Sequence, residues 1–212
     1  MKILIENNNF KKTVIFIHGF GKTGNQWNIT EHNKEINIES HIRKTHNTIL
    51  ITLEDNDYMR PIIDIASEIY KSIEVLSKSK IICVTHSYGS FFAMSMSIEY
   101  PQLFNAIIML DPTIKTFRYL EYLKTLDSNN INKYKIDNLD IIYPNHLDIP
   151  KNVVIKIHLN VDSDSNINID QLIELDKITK QNMKSRLMIH IDIGHMIHYK
   201  IPHVVIDTIK NL

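Results

Sequence analysis

The sequence predicts an α/β fold, a mostly parallel, doubly wound sheet with helices on both faces, in a single domain spanning residues 1–212. Three observations predict it. Short β-branched runs alternate with segments whose apolar residues recur at helical spacing. The polar residues of chemical interest fall at the ends of those runs, where sites in such sheets lie. And 43% apolar with 23% charged residues is the composition of a globular chain, long enough to bury a core without staples.

In chain order, Lys2 to Glu6 and Thr13 to Ile17 read as strands joined by so short a link that an antiparallel pair is expected. His18-Gly19-Phe20-Gly21-Lys22-Thr23-Gly24 follows. Its glycines spell G-x-G-x-x-G, yet no acidic residue stands about 20 positions on, and the first glycine of a P-loop would fall at Phe16, so nucleotide binding is disfavoured. Trp27, the single tryptophan, is expected as a packing anchor. Thr48 to Leu53 is the next strand. Pro61 then opens a helix with Ile62, Ile65, Ile69, Ile73 and Leu76 on one face.

Ile81 to Val84 form a run suited to a strand covered on both faces, and Phe91, Phe92, Met94 and Ile98 recur at helical spacing. Ser87 sits on the tight turn between them. Such a turn forces the side-chain oxygen out of the sheet top and requires small flanking residues. Gly89 meets that demand two residues on; two residues before stands Thr85, where the usual motif has glycine. The competing reading is a serine that only caps the helix.

Ala106 to Leu110 is another buried strand, ending in Asp111-Pro112. Residues 113–150 break the rhythm and are expected to form a small cap over the cleft, with Phe117, Tyr119, Tyr122 and Tyr143 available to line a pocket or to serve as core. Asn152 to Leu159 resumes the strands and leads to Asp162 and Asp164. A helix carries Leu172, Ile173, Leu175 and Ile178; Arg186 to Ile193 is the last strand, Gly194-His195 its loop, and Pro202 opens a terminal helix.

Charge and cysteine content exclude several classes. Lys and Arg total 24, as do Asp and Glu, so no whole-molecule field recruits nucleic acid or an anionic membrane. A lone cysteine, Cys83, within a proposed strand excludes a disulfide scaffold. The first residues make too short an apolar run for a signal peptide and no run approaches the roughly 20 residues of a membrane span, so a cytoplasmic location is expected.

A serine hydroxyl becomes a nucleophile when a base takes its proton, and that base needs a partner to fix its tautomer. The strand ends supply these types in the order Ser87, then Asp162 or Asp164, then His195. Asp162 is the first choice for the acid, Asp164 the second and Asp111 the third. His190, His198 and His203 are rivals of His195: the first lies within a strand, and the others face solvent or the terminal helix. His18 is expected to steady its loop and His86 to stand behind the site. His195 and His198 lack a third ligand and a helical frame, so no metal is expected.

On these motifs the chain resembles the α/β-hydrolases over nearly all of its length. The matching pieces are Val14-Ile15-Phe16-Ile17-His18-Gly19-Phe20 with Trp27 behind it, Thr85-His86-Ser87-Tyr88-Gly89, Tyr100-Pro101 leading to Met109-Leu110-Asp111-Pro112, and Gly194-His195 followed by Pro202. The resemblance implies Ser87 as nucleophile, His195 as general base and acid, an acidic residue after the penultimate strand as its orienter, and the Phe20 and Tyr88 amides as oxyanion donors. It implies a cofactor-free serine hydrolase acting on a small carboxylic ester or thioester through an acyl-enzyme. C–C bond hydrolase, lactonase or acyltransferase chemistry fits the same scaffold, as does a non-catalytic binding module.

Overall fold

A computed structural model of the chain describes residues 1–28, 37–74, 80–113, 149–162 and 169–212. Seven strands form one sheet: β1 (Lys2–Glu6), β2 (Lys12–Ile17), β3 (Asn47–Thr52), β4 (Lys80–His86), β5 (Phe104–Leu110), β6 (Val154–Val161) and β7 (Arg186–Ile191). Their order is β1-β3-β2-β4-β5-β6-β7, with every pair parallel except β1 with β3. The expected doubly wound sheet is therefore present, and β4, the strand that leads to Ser87, is its fourth member.

Burial divides the strand residues with period two, as a pleated strand covered on both sides must. Ile15, Ile17, Ile49, Ile51, Ile81, Cys83, Ile107, Met109, Ile155 and Ile157 face one core, which also holds residues of α2 (Ile62–Ile73), α3 (Gly89–Glu99) and α4 (Ile169–Lys180). Val14, Phe16, Leu50, Ile82, Val84, Ala106, Ile108 and Leu110 face the other, against α1 (Ile38–Ile42) and α5 (Pro202–Lys210), with Trp27 fully buried among them. Each fully buried aliphatic side chain contributes roughly 1.5–3 kcal/mol relative to exposure.

One pairing differs from the sequence expectation. β1 runs antiparallel to β3 and not beside β2, with Leu4 opposite Leu50. The link between β1 and β2 crosses the start of β3, where Asn47 gathers it. Asn47 Oδ1 accepts from the amides of Asn8 (2.9 Å) and Phe10 (3.1 Å), and Asn47 Nδ2 donates to the Phe10 carbonyl at 2.8 Å. Asn9 takes a left-handed backbone, φ 60°. Two strand spacings amount to roughly 10 Å, which a link of this length spans easily.

Of the stretch expected as a cap, residues 114–148 lie outside the described residues, as do Asp164, Phe117, Tyr119, Tyr122 and Tyr143.

Candidate active site

The turn from β4 into α3 is strained at the serine. Ser87 has φ 48°, a left-handed conformation that non-glycine residues rarely adopt. Its amide donates to the Leu110 carbonyl at 3.0 Å, and its own carbonyl accepts from the amides of Ser90 (3.1 Å) and Thr113 (3.3 Å). Backbone bonds thus tie the turn to the end of β5 on one side and to the helix on the other. The hydroxyl caps no helix amide: it meets the Thr113 hydroxyl at 3.4 Å, and α3 begins after Tyr88 without a side-chain cap bond.

Gly89 is where the turn tolerates no side chain, since a Cβ there would stand 2.7 Å from the Ile17 carbonyl oxygen and 2.8 Å from that of His18. Thr85, the departure from the usual glycine, is accommodated by hydrogen bonding. Its buried hydroxyl lies 3.2 Å from Ser90 Oγ and 3.4 Å from the Ile108 carbonyl.

The loop after β2 packs directly on this turn. A Cβ on Gly19 would lie 3.3 Å from Ser87 Cβ and 2.7 Å from His86 Nδ1. His18 holds the loop, as expected: its Nε2 accepts from the Leu53 amide at 2.8 Å, so Nδ1 carries the proton and donates to the Gly19 carbonyl at 2.6 Å. Phe20 follows, its ring 5.9 Å from that of Tyr88 and 4.5 Å from that of Tyr58. The glycines that mimic a dinucleotide fingerprint lead only into a five-residue 3-10 helix, Gly24–Asn28.

His195 lies on the loop after β7, and the structure corrects the choice of its partner. His195 Nδ1 meets Asp111 Oδ2 at 2.5 Å, whereas Asp162, the first choice from sequence, accepts from Asn160 Nδ2 at 2.8 Å. The physical reason is lateral position. Asp111 ends β5, the strand beside the serine strand, while Asp162 lies past β6, one strand farther out. At Asp111 the backbone also turns left-handed, φ 44°. Backbone and carboxylate are each anchored: Asp111 N donates to the His158 carbonyl at 2.7 Å, and Asn160 N donates to Asp111 Oδ1 at 3.2 Å. With Nδ1 donating to Asp111, a neutral His195 carries its lone pair on Nε2. Its side chain is 53% exposed, that of Asp111 14%.

His86 joins the two halves of the site. Its Nε2 donates to the His195 carbonyl at 3.0 Å, and the two rings lie 4.6 Å apart. Burial, reinforced by His198 and His195 nearby, pushes the His86 imidazole well below its ordinary pKa, so it stays neutral. His198 does not face solvent or only the terminal helix. It is fully buried, 5.0 Å from Trp27 and 4.7 Å from His86 between ring centres. His190, the strand rival, instead shares a hydrogen bond of 3.0 Å with His158 Nδ1. Among the described residues, no group of three or more His, Cys, Asp or Glu could hold a metal ion, and no helix is long and apolar enough to cross a membrane.

Buried neutral histidines make stability fall in acid. Burial lowers His18 and His158 to about 4 and His198 to about 3, against the usual 6.5. Below pH 6.5 the unfolded chain takes up protons that the folded chain refuses, until the folded histidines titrate near pH 4 and below. Their stabilising contribution is thus complete above pH 6.5 and is lost towards pH 4, on the order of 2 kcal/mol per histidine by pH 4.5. Urea unfolding at pH 7 and pH 4.5 should show the loss, and His158→Gln should shrink the difference by about that amount. Equal pH dependence in the variant would contradict the assignment.

No family model matches the chain, and no curated protein sequence does. Solved structures do. A thermophilic esterase from Thermogutta terrifontis superposes with a TM-score of 0.64 at 13% identity, over 99% of this chain and 91% of that one. A structure from a study of carboxylesterases of the thaumarchaeon Nitrososphaera gargenis gives 0.69 at 11% identity, over 99% and 92%. The chain has the α/β-hydrolase fold. An enol-lactonase from Burkholderia xenovorans LB400 matches it equally, with a TM-score of 0.68 at 8% identity over 99% of this chain and 95% of that one. At such identities the α/β-hydrolase fold is what is shared, and chemistry must be argued from the residues.

Proposed function

We propose that this α/β-hydrolase-fold chain is a serine hydrolase that cleaves a small carboxylic ester or thioester through an acyl-enzyme, with Ser87 as nucleophile, His195 as general base and acid, and Asp111 as orienter. The observation that carries the reading is the His195–Asp111 couple at the rim where Ser87 stands on a left-handed turn. Thr113 touches the Ser87 hydroxyl two residues after the carboxylate, and the His86 ring, next to Ser87 in sequence, packs against His195.

In the proposed sequence the Ser87 hydroxyl turns from Thr113 towards His195 Nε2, gives up its proton and attacks the acyl carbon. The negative charge that develops on the carbonyl oxygen is received by the amides of Phe20 and Tyr88, on two loops already packed together. One such donor typically contributes roughly 3 kcal/mol to lowering the barrier. His195 then passes the proton to the departing alcohol or thiol, and water repeats the cycle to release the acid. The reaction requires no cofactor. Esterases and lactonases among the similar structures act on acyl carbons, which supports the substrate class without choosing within it.

Incubation with a fluorophosphonate, followed by peptide mass mapping, tests the nucleophile. The adduct is expected on Ser87. Absence of any adduct on the wild-type protein, or an adduct on another residue that survives Ser87→Ala, would overturn the proposal.

A further inference from the structure

Asn160 touches Asp111 and the two residues that precede His195. It is the penultimate residue of β6, and its side chain is oriented by what surrounds it. Oδ1 accepts from the amides of Ile193 and Gly194, each at 3.0 Å, while Nδ2 donates to Asp162 Oδ1 at 2.8 Å. Two donors facing one end and a carboxylate facing the other leave a single orientation of the amide. Its backbone N–H donates in turn to Asp111 Oδ1 at 3.2 Å, on the carboxylate oxygen that His195 leaves open.

Ile193 and Gly194 immediately precede His195. The loop reaches them through two left-handed residues, Asp192 (φ 56°) and Gly194 (φ 74°). That path turns consecutive amides to the same side, where one acceptor serves both. From the other side His86 fixes the His195 carbonyl. The imidazole is half exposed, held by Asp111 and by the His86 ring, so these backbone ties help set where it can go.

We infer that Asn160 is a positioning residue for catalysis: its carboxamide fixes the loop that carries His195 while its backbone amide fixes the carboxylate of Asp111, holding acid and base in register. The inference rests on the serine-hydrolase reading. Because Asn160 acts through His195, its loss lowers kcat and leaves ground-state binding nearly unchanged.

The test compares wild type, Asn160→Ala and the double variant Asn160→Asp with Asp162→Asn, using aryl-ester kcat and KM and the rate of Ser87 labelling. Asn160→Ala keeps the backbone tie to Asp111 and removes the ties to the loop and to Asp162, and the Asp162→Asn variant alone reports the second. Its kcat should fall roughly 10- to 100-fold, as for a small misplacement of a catalytic group, with KM within about twofold. The double variant exchanges donor and acceptor at unchanged net charge: the carboxylate at position 160 accepts the two loop amides and the amide at position 162 donates back. It should recover most of the loss. A kcat for Asn160→Ala within about twofold of wild type, or a folded double variant as slow as Asn160→Ala, would overturn the inference. If Asn160→Ala does not fold, Asn160→Thr, which suits a strand and cannot serve both amides, is read in its place against the same limits. Wild-type protein without turnover or Ser87 labelling would instead sink the hydrolase reading itself.

Discussion

Ser87→Ala should lower aryl-ester kcat by a factor on the order of 10⁶, and His195→Ala by a comparable factor, because nucleophile and base act as one unit and removing either removes the covalent route. The double variant should be no slower than either single one. The small side chain of alanine at position 87 relieves no clash, and the backbone bonds to Leu110, Ser90 and Thr113 remain, so the fold should persist. Circular dichroism and urea midpoints close to wild type would separate loss of chemistry from loss of structure. The alternative is a binding module that has kept only the fold. It predicts that any weak ester turnover is equal in wild type and both variants, which a stopped assay over hours resolves.

Much of the fold was legible because the physics that produced it is local. Strands covered on both faces read as continuous β-branched runs, as in Ile81 to Val84, and α2 shows its apolar stripe at Ile62, Ile65, Ile69 and Ile73. The serine turn was legible for the same reason, since Gly89 is a local requirement of two backbones in contact. What depends on lateral position was not. For β1 the link length allows a hairpin and a one-strand skip alike, and Asn47, 37 residues beyond Phe10, decides between them.

The same limit governs the acid. Chain order favours a carboxylate after the penultimate strand, and Asp162 stands there, whereas sequence leaves Asp111 looking like a loop cap beside Pro112. The left-handed backbone at Asp111 and the bond from Asn160 N have no signature in a single sequence. Nor does the contact between His86 and His195, 109 residues apart. His198, after the last loop, is expected to face solvent or the terminal helix. Trp27 and His86 instead enclose it.

The claim on which the catalytic account depends is that His195 is oriented by Asp111. Asp111→Asn tests it with little disturbance, because asparagine tolerates the left-handed backbone and retains an oxygen for the Asn160 amide. Its NH₂, however, donates to Nδ1 of His195, which forces the ring proton onto Nε2 and leaves no lone pair to take the proton of Ser87. Loss of the required tautomer costs about 10⁴ in kcat where such a couple operates. Asp162→Asn keeps a carbonyl oxygen for Asn160 Nδ2 and should cost only a few-fold. Side-by-side measurement of ester kcat in Asp111→Asn, Asp162→Asn and Asp164→Asn is therefore the decisive experiment. A loss of roughly 10⁴ is expected in Asp111→Asn alone; a loss of that size in Asp162→Asn or Asp164→Asn, with Asp111→Asn near wild type, would show that Asp111 does not orient His195.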